Sequence, residues 1–65
     1  MEYEIKEYLE VYKRSYTKPM YRQLRAKDKG LSLNEFRKLL YRMSLDGKIR
    51  FNVETYTDLP HWSNK

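Results

Sequence analysis

Residues 31–47 read LSLNEFRKLLYRMSLDG and contain the strongest local signal in the chain. Ser32 begins a capping box, in which its hydroxyl caps the helix while the Glu35 side chain reaches back to the Ser32 backbone N–H. Apolar residues then recur at the spacing of one helix face, at Phe36, Leu39, Leu40 and Met43. Gly47 suits the position just after a helix end. The stretch therefore predicts a helix over residues 33–45.

Two more helices are predicted before this stretch. The first covers residues 2–14, with glutamates in its first turn, Lys13-Arg14 in its last turn and an apolar face of Ile5, Tyr8, Leu9 and Tyr12. The second covers residues 18–27, with Thr17 as its N-cap and a short apolar face of Met20, Tyr21 and Leu24. The turn after it ends at Gly30, which is free to adopt a positive φ.

After Gly47 the apolar period changes from helical to alternating. Polar residues alternate with Ile49, Phe51 and Val53, as in a half-buried strand. The pattern predicts a hairpin that joins residues 48–53 to residues 55–59 and is ended by Pro60. We expect His61-Trp62 to fold back onto the core and residues 63–65 to fray. The prediction is one α+β domain over residues 1–62.

Composition limits the class of protein. With 65 residues there is room for one small domain, whose stability should be about 3–10 kcal/mol. The chain has no cysteine, which excludes disulfides, Cys-based zinc sites and thiol catalysis. No apolar run approaches the roughly 20 residues that cross a bilayer, and the acidic start does not resemble a signal peptide. We therefore expect a folded cytoplasmic protein, neither secreted nor membrane-bound.

The net charge of +5 is unevenly distributed. Residues 1–12 carry a net −3, residues 13–50 carry twelve Lys or Arg and a net +9, and residues 51–65 carry a net −1. A basic block between acidic or near-neutral ends attracts polyanions more strongly than a uniform distribution of the same charge. This asymmetry favours a nucleic-acid partner.

The order of these elements resembles the winged-helix branch of the helix-turn-helix proteins. Thr17-Lys18-Pro19 opens the second helix, residues 27–30 form the turn, residues 33–43 look like a recognition helix, and residues 46–51 look like its exit into the first wing strand. The resemblance implies a three-helix winged helix-turn-helix fold with a C-terminal two-stranded β-hairpin. It also implies a DNA-binding transcriptional regulator or accessory factor.

Two features depart from that pattern. The wing tip, residues 52–55, is short and carries an acidic residue, which argues against a minor-groove contact by the wing. Winged helices often have a small strand between the first two helices, and here only residues 16–18 are available for it.

The predicted recognition helix carries residue types that read bases beside types that bind phosphates. Arginine can make a bidentate contact to guanine, and asparagine to adenine. The candidate base contacts are Asn34, Arg37, Lys38 and Arg42. The candidate phosphate contacts are Arg22, Arg25, Lys27, Lys29, Tyr41, Lys48 and Arg50. We expect these groups to form one continuous basic surface on duplex DNA, apart from the acidic first helix, with a dimer or partner supplying further specificity.

Other interpretations remain open. An amphipathic helix with Arg and Lys outside is also the commonest helix on any protein surface. A non-enzymatic interaction module, an adaptor or inhibitor, would use Tyr41, Leu45 and Trp62 to contact another protein or a second copy. The alternative for Tyr41 and Leu45 is that the C-terminal tail packs over them. The sequence does not separate DNA from RNA.

Catalysis is not expected from this sequence. It has one histidine, no Gly-rich phosphate loop and no serine elbow. Asp58 and His61 are close in sequence but lack a third ligand or a nucleophile nearby. We therefore expect no catalytic site, no metal site, no cofactor and no small-molecule substrate.

Overall fold

The computed structural model describes residues 1–53 and 60–65. The elements follow the order α1 (Glu2–Tyr12), β1 (Arg14–Ser15), α2 (Thr17–Arg25), α3 (Leu33–Leu45), β2 (Ile49–Asn52) and β3 (His61–Asn64). The fold is therefore α+β, with three helices and a three-stranded antiparallel sheet. The predicted hairpin strand over residues 55–59 and part of the predicted wing tip lie outside the described residues.

Helix α3 has the bounds that the sequence predicts. The Ser32 hydroxyl accepts a hydrogen bond from the Glu35 backbone N–H at 3.1 Å, which is one of the two bonds of the predicted capping box. At the other end Gly47 has φ 76°, and its N–H donates to the Ser44 carbonyl while the Lys48 N–H donates to the Met43 carbonyl. This pair of bonds is a Schellman motif, which satisfies the last carbonyls of the helix.

Helix α1 ends two residues earlier than predicted. Lys13 is its C-cap, with φ 70° and ψ −44°, and its N–H donates to the Leu9 carbonyl at 2.9 Å. Arg14 and Ser15 then form β1. In the extended conformation these two residues pair with β3, which they could not do as a further turn of helix. The small strand between the first two helices thus exists, but it lies at residues 14–15 and not at residues 16–18.

The predicted start of α2 and the predicted turn after it are wrong in two details. Thr17 is inside the helix and Tyr16 is the N-cap, because the Thr17 hydroxyl accepts a hydrogen bond from the Trp62 indole N–H at 2.9 Å. Gly47 is the one glycine of the described residues with a positive φ. Gly30 does not need one, since Asp28 forms the turn by accepting from the Gly30 N–H with its carboxylate.

The sheet has the order β1-β3-β2, so the last strand of the chain is the central one. Arg14 and Ser15 pair with Ser63 and Trp62, while Ile49 to Asn52 pair with Asn64 to His61. Pro60 therefore directly precedes β3, and the strand that the sequence predicts before Pro60, over residues 55–59, lies outside the described residues. The predicted frayed tail is also corrected, because Ser63 and Asn64 are paired and the Asn64 side-chain amide donates to the Lys6 carbonyl at 3.1 Å.

The core lies between the three helices and one face of the sheet. Its buried members are Ile5, Tyr8, Leu9, Met20, Leu24, Phe36, Leu40, Met43, Ile49 and Trp62. Trp62 folds onto this core as predicted and is 2% exposed. Tyr12 was expected inside but is half exposed, with its ring stacked against Tyr8 at a centroid distance of 4.5 Å. No helix in the described part of the chain is both long enough and apolar enough to span a bilayer.

Strand β2 does not follow the predicted alternation. Ile49 is buried, but Phe51 and Val53 are exposed, and the polar Asn52 between them is buried. Burial of Asn52 is tolerated because its amide donates to the Ser63 hydroxyl at 2.9 Å and also reaches the Arg50 and His61 carbonyls. Phe51 instead lies over the Trp62 ring, with a centroid distance of 4.4 Å.

Candidate nucleic-acid interface

The outer face of α3 carries exposed polar and cationic groups. Phe36, Leu40 and Met43 fix the buried face, so the helical period of 3.6 residues places Asn34 and Lys38 opposite to it and Arg37 on its flank. All three side chains are exposed. Across residues 1–53 and 60–65, neither Arg37 nor Lys38 lies within 4.0 Å of a carboxylate. Their donors are therefore open to an external acceptor.

Helix α2 adds a second group of cations and is anchored to the start of α3. Arg22 and Arg25 are exposed, whereas Met20 and Leu24 of the same helix are buried. The Tyr21 hydroxyl donates to the Leu31 carbonyl at 2.7 Å, and its ring lies 5.6 Å from that of Phe36. These contacts hold the two helices together at the end where α3 presents Asn34. Lys29, in the turn between them, is also exposed.

The acidic helix α1 does not lie apart from the basic residues as expected. Glu2 accepts from the Lys48 ammonium at 2.7 Å. This hydrogen bond lowers the pKa of Glu2 and raises the pKa of Lys48, and the charge of Arg42 also contributes a small lowering of the Glu2 pKa. Lys48 is therefore partly neutralised within the fold, because the residue just before β2 lies beside the start of α1.

Lys27 likewise points toward α1. It lines a groove between α1 and α2 together with Glu4 and Glu7. The N-terminal ammonium, 2.9 Å from Glu4, lowers the pKa of that carboxyl by hydrogen bonding, and Lys27 adds a smaller electrostatic lowering. The predicted single basic surface is thus interrupted by carboxylates of α1, since Lys48 is paired with Glu2 and Lys27 lines a groove with Glu4 and Glu7.

Arg50 belongs to a different face from α3. In β2 it alternates with Phe51, whose ring contacts Tyr41 of α3 at a centroid distance of 6.1 Å. Successive side chains of a strand leave opposite faces, so Arg50 leaves the sheet on the side away from α3. Arg14, which the sequence placed in the last turn of a helix, is exposed on that same side. A β-strand signal in residues 14–15 could have identified it, but two residues are too few to show a period.

The predicted protein-contact residues have different environments. Trp62 is buried and cannot serve as an exposed anchor. Tyr41 is 54% exposed, and one edge of its ring packs on Trp62 at a centroid distance of 5.6 Å, which is the packing by the C-terminal segment that the sequence left open. Leu45 is 86% exposed.

Comparisons with protein-family models, curated proteins and solved structures find no match for this chain. Within residues 1–53 and 60–65, no group of three or more His, Asp or Glu side chains is placed to bind a metal ion. The candidate interface is the exposed α3 face with Asn34, Arg37 and Lys38, and Arg22, Arg25 and Lys29 are exposed on α2 and on the turn that precedes α3.

Proposed function

We propose that the protein binds duplex DNA through the outer face of α3, as a small regulator or accessory factor with a winged-helix architecture. The observation that carries the proposal is the exposure of Asn34, Arg37 and Lys38 on one capped helix, with no carboxylate partner for the two cations among the described residues. Such a helix combines bidentate base-reading groups with a phosphate-binding ammonium.

The arrangement of elements supports the winged-helix assignment. A short strand follows the first helix, two connected helices follow the strand, and two further strands complete the sheet. This is the order that the resemblance implies, including the small strand that the sequence left in doubt. In this architecture the first helix of the pair contacts the DNA backbone while the second enters the major groove. Arg22 and Arg25 on α2 suit the first role, and Arg37 on α3 suits the second.

The chemistry divides between specificity and affinity. A good bidentate contact from Arg37 or Asn34 discriminates against a wrong base by about 1–3 kcal/mol. Each phosphate neutralised by a cation releases counterions and adds about −0.9 to the slope of log affinity against log salt. The interaction should therefore weaken steeply with salt. Because a domain of this size makes few contacts, strong specificity calls for a dimer or a partner.

The test is fluorescence anisotropy with a labelled duplex at several salt concentrations. We expect Arg37→Ala/Lys38→Ala to lose at least about tenfold in affinity, the equivalent of one good base contact. Lys6→Ala/Lys13→Ala is the matched control, since it removes the same charge from exposed positions of the α1 segment. Equal losses in the two variants, or no binding of the unmodified protein at micromolar concentration, would remove the proposal.

A second candidate function is supported by one observation, the 86% exposure of Leu45 beside the half-exposed ring of Tyr41. An adaptor that docks on another protein would use these two side chains together. Light scattering and co-purification of wild type and Leu45→Ser distinguish the cases. A stoichiometric protein partner, lost in the variant and free of nucleic acid, would favour the adaptor.

A further inference from the structure

Three side chains form one row across the outer face of the sheet. Ser63 of the central strand pairs with Arg14 of β1 on one side and with Arg50 of β2 on the other. Residues directly opposite in antiparallel strands share a face, so Arg14, Ser63 and Arg50 leave the sheet together. Trp62 and Phe51, the neighbours in the same strands, point to the opposite face toward α3. We call these three residues the sheet row.

The sheet row presents hydrogen-bond donors. Both arginines are exposed, and neither has a carboxylate within 4.0 Å among residues 1–53 and 60–65. The Ser63 hydroxyl oxygen accepts a hydrogen bond from the buried Asn52 amide at 2.9 Å. Because that oxygen serves as an acceptor within the sheet, its own O–H is available as a donor. Asn52 thereby holds the hydroxyl on the central strand, between the two strands that carry the arginines.

The spacing of the row suits a phosphate group. Neighbouring strands lie about 4.8 Å apart, so the Cα atoms of the two arginines are roughly 10 Å apart. Arginine side chains are long enough to reach the space above the central strand from both neighbouring strands, and there each planar guanidinium can make a bidentate contact with phosphate oxygens. Two cations this close repel each other where no carboxylate of residues 1–53 and 60–65 pairs with them, and an anion between them removes that repulsion.

We propose that the sheet row Arg14–Ser63–Arg50 binds a phosphate of a nucleic-acid backbone, at a site separate from α3. The choice of a nucleic acid as the source of the phosphate rests on the proposed function. Since the row faces away from α3, the phosphate it holds belongs to a different backbone segment from the one on α3. The protein then contacts nucleic acid on two sides.

The first experiment tests the site without any nucleic acid. Wild-type protein labelled with ¹⁵N is titrated with inorganic phosphate against sodium chloride at constant ionic strength. We expect saturable shifts of the Arg14 and Arg50 Nε–H signals and of the Ser63 amide, which Arg14→Gln/Arg50→Gln abolishes. Absence of these shifts, or equal shifts at Lys6 and Lys13 in the α1 segment, would overturn the site.

The second experiment measures duplex binding against salt for Arg14→Gln/Arg50→Gln and for the control Lys6→Gln/Lys13→Gln. Loss of the one phosphate that the row neutralises should make the slope of log affinity against log salt less steep by about 0.9, with a smaller change in the control. An unchanged slope in a variant that still binds overturns the sheet-row proposal and leaves the α3 interface intact. Two outcomes would overturn the nucleic-acid assignment while keeping the phosphate site. In the first, the row responds to phosphate but the protein binds no duplex. In the second, the row binds a phosphoserine peptide more tightly than a duplex.

Discussion

The hydrogen bond from Trp62 to Thr17 offers the sharpest test of how this fold is held together. It joins two positions 45 residues apart and links the central strand to the first turn of α2. Thr17→Val removes the acceptor while keeping the shape and the β-branch of the side chain. Thr17→Ser keeps the hydroxyl and loses only a methyl group, so it is the matched control.

The expected magnitude follows from the burial of the donor. Trp62 is 2% exposed, so in Thr17→Val its indole N–H loses its partner without gaining water. A buried donor left without an acceptor costs about 1–3 kcal/mol, which is a large share of the roughly 3–10 kcal/mol available to a domain of this length. We expect Thr17→Ser to change the free energy of unfolding by less than about 0.5 kcal/mol.

Urea unfolding followed by tryptophan fluorescence is the assay. Trp62 is the one tryptophan of the chain, so the emission reports directly on the altered site. With a slope of about 1 kcal/mol per molar urea for a small domain, Thr17→Val should lower the midpoint by about 1–3 M. The reasoning is refuted if the Thr17→Val midpoint equals that of the wild type, or if Thr17→Ser is as damaging as Thr17→Val.

Four further substitutions probe the ends of α1 and α3. Lys13→Gly should stabilise the protein by about 1 kcal/mol, because the φ of 70° at Lys13 is strained for a residue with a side chain. Gly47→Ala should destabilise the protein by a similar amount for the same reason. Thermal unfolding measures both changes. Ser32→Ala should cost about 1 kcal/mol through the lost cap, and an unchanged melting temperature would contradict the role of that bond. The hydrogen bond with Lys48 lowers the pKa of Glu2 in the folded state. The ion pair therefore stabilises the folded protein fully at pH values above 4.5, the ordinary pKa of this group, and this stabilisation is lost as the pH falls through the lowered pKa. Glu2→Gln should therefore flatten the acid side of the stability profile, and identical profiles would argue against the ion pair.

Features decided by residues close together in the sequence are predicted correctly, and features decided by distant residues are misplaced. Helix α3 was predicted with its observed bounds because its cap at Ser32, its apolar face and its Gly47 stop all act within a few residues of each other. The end of α1 and the cap of α2 were misplaced because distant partners decide them. Arg14 pairs with Ser63, and the Thr17 hydroxyl accepts from Trp62, neither of which is visible in the local sequence.

The strand that pairs with β2 in the described residues is β3, a partner that the sequence does not predict. Residues 55–59 are richer in strand-forming residues than residues 61–64, and a proline is compatible with either the end or the start of a strand. In the described residues, pairing with β1 on one side and with β2 on the other holds residues 61–64 as a strand. The candidate interface was predictable in part, since helical spacing identifies Asn34, Arg37 and Lys38 as outward-facing. The contact between Glu2 and Lys48 was not, because it joins residues 46 positions apart.

The position of β3 governs how the sheet opens. Among the described residues, β1 and β2 do not pair with each other, and each forms its inter-strand bonds with β3. A fluctuation that releases β3 therefore frees both edges at once, so the backbone amides of all three strands should exchange with solvent as one cooperative unit. The same fluctuation separates Arg14 from Arg50, so any anion held by both would slow that exchange.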